Sequence, residues 1–68
     1  MYILYYAETM EPVLATNWGS PRFESLDEVE KYLDAQYDAF DCIDDTEEIV
    51  TYEVSNDGEI NYIAAIIV

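Results

Sequence analysis

Six carboxylates, Asp27, Glu30, Asp34, Asp38, Asp41 and Asp45, recur at spacings of three and four residues in the middle of this chain. On an α-helix, at roughly 100° per residue, all six fall within about a quarter of the circumference, with successive members roughly 5 to 6 Å apart along the axis. Like charges at such spacings destabilise an isolated helix by a few tenths of a kcal/mol per pair. The fold gains nothing from the row. Its chemistry is that of a polyanion on a rigid rod, the character of one strand of a nucleic-acid backbone, and it suits charge-assisted pairing with Arg and Lys. Asp44, Glu47 and Glu48 extend the row beyond the helix.

Other chemistry has little material. The chain contains no His for acid–base work near neutral pH, and its single Cys42 has no imidazole, Lys or Arg nearby in sequence to activate it. No catalytic residue is therefore expected. Asp38, Asp41, Asp44, Asp45, Glu47 and Glu48 are hard oxygen donors. They lack the alternate spacing and the central Gly of the twelve-residue calcium loop. Weak divalent binding is expected there, with no dedicated metal site and no cofactor. A solvated helix face would account for surface acids, but such faces normally mix signs. Here only Lys31 interrupts the run.

Composition points the same way. Sixteen Asp and Glu face two Lys and Arg in 68 residues, for a formal net charge of −14. A disordered acidic tail would lack aromatics, whereas this chain is 51% hydrophobic and 15% aromatic. It therefore reads as one folded domain, near the lower size limit for a core without staples. The sign excludes direct binding to nucleic acid or anionic lipid. It favours a basic protein surface as partner. No signal peptide, membrane span or internal disulfide is legible, so a cytoplasmic protein is expected.

The positioning elements follow from periodicity. Residues 2–8 read as a strand apolar on both faces, hence central. A reversal at 9–12 leads to a second strand over 13–17 and a Gly/Pro loop at 18–21. Ser25 is a helix N-cap completed by Glu28 as a capping box, with Phe23 as a possible staple. Leu26, Val29, Leu33, Tyr37 and Phe40 form the buried face of a helix ending near Ile43. Residues 49–55 alternate as a strand with one wet face. Asn56-Asp57-Gly58 turns tightly, and 59–68 returns as a central strand beside the first. The expected fold class is α+β: ββαββ, a four-stranded, mostly antiparallel sheet with one helix packed on one face.

Two aromatics join the acids as binding candidates. Trp18 lies in the Gly/Pro loop, and Tyr32 is placed opposite the buried helix face. Both are expected to be exposed beside carboxylates, as in interface hot spots.

In size, acidity and mixed α/β pattern, the whole chain resembles the small inhibitors that phages and mobile elements direct against host DNA-handling machinery. These include anti-restriction and anti-CRISPR proteins and uracil-glycosylase inhibitors. The resemblance implies a stoichiometric inhibitor, a monomer or homodimer, that presents carboxylates where phosphates would sit. Its target would be a CRISPR effector or restriction enzyme. Two alternatives stand beside it. One is an acidic immunity or antitoxin protein covering a nuclease active site. The other is a structural or adaptor protein with a solvated acidic face that works through an exposed sheet edge or a homodimer contact.

Overall fold

A computed structural model describes residues 1–13 and 21–68. Its elements are β1 (Tyr2–Tyr6), α1 (Leu26–Gln36), β2 (Ala39–Asp45), β3 (Ile49–Asn56) and β4 (Glu59–Ile67). The four strands form one antiparallel sheet in the order β1-β4-β3-β2. The α+β class is as expected: one four-stranded antiparallel sheet, with a helix on one face.

Alternation along each strand determines which side chains meet the helix. Val50, Tyr52 and Val54 of β3, Ile63 and Ala65 of β4, and Leu4 of β1 are buried together with Val29 and Leu33 of α1. The β3–β4 hairpin closes at Asp57 and Gly58, both at positive φ (52° and 85°), between the paired Asn56 and Glu59. This is the geometry the Asn-Asp-Gly sequence favours, because two-residue hairpin loops require positive φ at both central positions. β4 is central and lies beside β1, as its two-sided apolar character demands.

Two expectations are corrected. Among the described strands β1 lies at the end of the order and is not central. Its outer edge is instead satisfied by chain segments: Tyr2 exchanges backbone hydrogen bonds with Phe23, and Tyr6 N–H donates to Glu11 O. The expected strand over 13–17 lies mostly outside the described residues. At its start Pro12 bridges Tyr5 and Val13 N–H donates to Leu4 O at 3.0 Å, and 14–17 are outside the described residues. In the order of named elements, one strand precedes the helix and three follow.

The second correction concerns the length of the helix. It begins as predicted: Ser25 Oγ accepts from Glu28 N–H at 3.4 Å, and Glu28 Oε2 accepts from Glu24 N–H at 2.9 Å. It ends at Gln36, where Tyr37 adopts φ −129° and ψ 151°. Beyond that point four aspartates would crowd the negative end of the helix dipole. Phe40 and Cys42, two apart, instead register against Val54 and Tyr52 of β3. Pairing gives β3 its second neighbour, and that outweighs a few more helical residues.

Candidate functional site: acids of the helix and the edge strand

The shorter helix breaks the row of six. Asp27, Glu30 and Asp34 lie on α1, Asp38 lies in the connection after it, and Asp41 and Asp45 belong to β2. Asp41 registers with Glu53 and Asp45 with Val50, so the two point to opposite faces of the sheet. One line of carboxylates on one helix does not exist. What exists is an acidic helix beside an acidic edge strand.

The two elements meet at a groove. Asp27, Glu30, Lys31 and Asp34 line one side of a concavity of about 350 Å³, and Phe40 of β2 lines the other. Phe40 is half-buried and packs edge-on against Tyr52, with ring centroids 5.7 Å apart. The groove thus has an apolar floor at one end, three carboxylates along one wall and a single ammonium among them. A Cys42–Asp44 irregularity in pairing sets Ile43 and Asp44 together opposite Thr51, a bulge that twists the acidic strand.

Electrostatics tie the strand to the helix side. Partial desolvation, then the Asp45 carboxylate and further the Glu30 and Asp44 carboxylates, push the Cys42 thiol up. The Asp44 backbone partly opposes this. Burial first, then Glu30, Cys42, Asp45 and Tyr2, push Tyr52 up to about 12. Glu30 and Asp45 therefore share one field over Cys42 and Tyr52, although one is helical and the other is on the strand. A thiol held up in this way stays protonated at neutral pH and is a poor nucleophile.

None of the 16 carboxylates is buried, and all but the half-buried Glu53 are exposed. Asp44 is exposed on β2, toward the face away from the helix. Glu47 and Glu48 are exposed in the β2–β3 turn. Thr46 holds that turn: its N–H donates to Ile49 O at 2.8 Å, and its Oγ1 accepts from Ile49 N–H at 3.0 Å.

The aromatic candidates fare differently. Tyr32 is half-buried on the flank of the helix, its ring centroid 5.4 Å from that of Phe23. It belongs to the core margin and is not an exposed anchor. Burial and the neighbouring Tyr6 raise its pKa. Tyr37 is held up at about 12 by burial first, then by Tyr6 and Tyr32, and its hydroxyl is hydrogen-bonded to Tyr6. Trp18 lies outside the described residues.

Sequence reasoning assigned Phe40 to the helix core and missed it as a groove residue. The two-residue spacing of Phe40 and Cys42, with aspartates between and after, carried that signal. Among the described residues, no three His, Cys, Asp or Glu side chains converge as metal ligands. No helix among them is long and apolar enough to cross a membrane. No known protein family matches the chain, and neither a curated protein nor a solved structure does.

Proposed function

We propose that this chain is a non-enzymatic acidic inhibitor, acting in the cytoplasm of a host cell. It would occupy the basic nucleic-acid-binding groove of a defence protein such as a CRISPR effector or restriction enzyme. One observation carries the reading. Three carboxylates of the prefolded helix α1 line one groove whose other side is Phe40 of the acidic strand β2, with 16 acids against two bases in the whole chain. The imitation of phosphate is spread over a helix and a strand. That layout offers a two-dimensional field of charge to an Arg/Lys-lined channel. Long-range attraction speeds association, and charge-assisted contacts hold the complex. Carboxylates on fixed elements lose less freedom on binding than those of a tail.

Competition tests it. Purified CRISPR effector or restriction endonuclease is loaded with labelled duplex DNA and titrated with this protein at low and moderate salt. The protein displaces DNA, less effectively as salt rises. The variant Asp27→Asn/Glu30→Gln/Asp34→Asn displaces it about tenfold or more weakly, with charge reversal worse than neutralisation. DNA left bound by the wild type at low salt, or equal displacement by the variant, overturns the reading.

A further inference from the structure

The face of the sheet away from the helix carries a second kind of surface. Its residues follow from register. Ile3 pairs with Ile66, and Tyr5 with Ala64; Tyr62 comes next along β4. Ile3, Tyr5, Tyr62 and Ile66 are half-buried, and Ile60, further along β4, is 58% exposed. Among the described residues the only helix lies on the other face. The next strands on this face change character. Tyr62 registers with Glu53 and Glu53 with Asp41; Ala64 registers with Thr51 and Thr51 with Asp44. An apolar strip on β1 and β4, extended at one end by Ile49 beside Ile66, thus runs beside a polar strip in which Glu53, Asp41 and Asp44 supply the charge.

We propose that this face docks a basic amphipathic helix of a partner protein, a surface separate from the acidic groove and independent of its role. Charge complementarity selects that occupant. A sheet face with apolar character is normally covered by a helix or a second sheet. A second copy of this chain would bring its own Asp41, Asp44 and Glu53, while its only bases, Arg22 and Lys31, lie on no strand. Size agrees with one helix. Two strands span about 10 Å across, the diameter of a helix with its side chains. The run from Ile60 to Ile66 is roughly 20 Å long, which matches about 14 helical residues. The apolar face of such a helix covers Ile3, Tyr5, Tyr62 and Ile66. Its Lys or Arg flank meets Glu53 and Asp41.

The probe is a synthetic peptide of about 14 residues, with Leu on one helical face and Lys and Arg on the flanks. It is titrated into the isotope-labelled full chain at physiological salt, alongside a scrambled peptide of identical composition. Saturable amide shifts centred on β1, β4 and Glu53 are expected from the patterned peptide and much weaker binding from the scrambled one. Tyr62→Lys and Glu53→Gln each weaken binding, the first by about tenfold or more, since it places a like charge in the strip. Ile60→Lys, at an exposed position, replaces Tyr62→Lys if that variant loses its dispersed spectrum. Asp27→Asn/Asp34→Asn leaves binding unchanged. Shifts centred on α1, equal binding of the scrambled peptide, no binding, or self-association that protects this face would each overturn the proposal.

Discussion

Residues 26–36 and 39–45 carry aspartates and glutamates at the same three-and-four spacing, yet one segment is a helix and the other a strand. The acids do not distinguish them. The apolar residues do: Leu26, Val29 and Leu33 return every three or four positions, whereas Phe40 and Cys42 return every second. In the helix Val29 and Leu33 are fully inaccessible and Leu26 is half-buried. In β2 only Phe40 is half-buried and every other residue is exposed. Burial selects the period, and charge follows wherever the backbone takes it. The same sequence signature therefore yields a helix face in one segment and two opposed strand faces in the other.

The sharpest way to test that contrast is to truncate one apolar residue in each segment. Leu33→Ala removes a fully buried side chain packed between the helix and the sheet. It should cost about 2–5 kcal/mol, much of the stability available to a domain this small. Ile43→Ala, in β2 with Ile43 52% exposed, should change stability by about 0.5 kcal/mol or less. Urea denaturation followed by circular dichroism measures both. Comparable losses at the two positions would mean that β2 is as deeply anchored as the helix.

A good part of the fold was legible because local signals and burial agree there. Ser25 and Glu28 cap the helix as their types require, and Asn56-Asp57-Gly58 places its turn. The alternation of Val50, Tyr52 and Val54 assigns the buried face of β3. The sequence failed at 37–45, where two periods coexist. Tyr37 and Phe40 continue the helical spacing, and Phe40 with Cys42 begins the strand spacing. Only the availability of β3 as a pairing partner decides between them, and that is a long-range fact. The acids of the candidate site inherited the error, since Asp38, Asp41 and Asp45 lost their helix. Tyr32 was misplaced for a smaller reason: it stands on the flank of the stripe, where Phe23 reaches it.

Alkaline pH probes the two segments at their margins. Tyr37 closes the helix and Tyr52 lies opposite Cys42 of β2; both are pushed up to about 12. An unfolded Tyr titrates near 10. The folded state therefore holds these protons more tightly. The resulting stability is complete below about pH 10 and falls as pH rises towards 12, because there the unfolded chain has already released them. Tyrosinate absorbance should show these two groups titrating late. Circular dichroism should show structure being lost across the same interval, and Tyr52→Phe and Tyr37→Phe should each flatten the decline. Titration of all seven tyrosines together near 10, with structure intact, would remove the burial argument for both.

The smallest effects come from the charges themselves, and here the two segments should part in kind more than in size. Asp27→Asn/Glu30→Gln/Asp34→Asn relieves repulsion along the helix, by a few tenths of a kcal/mol per pair. Asp27 lies in the first turn, where the dipole favours it, so its loss offsets part of that gain. The net change in stability should be near zero, with a shallower rise of melting temperature on adding NaCl. Asp41→Asn/Asp44→Asn/Asp45→Asn acts on an end strand of the sheet, whose outer edge no other described strand covers. Charged side chains on such an edge keep it from pairing with another copy. Neutralising them should leave the unfolding free energy in urea within about 0.5 kcal/mol of wild type at low protein concentration. At high concentration the strand variant should associate while the helix variant remains unchanged in sedimentation. Equal association of both variants would show that net charge alone keeps the chains apart, and that the acids of β2 have no special duty at the edge.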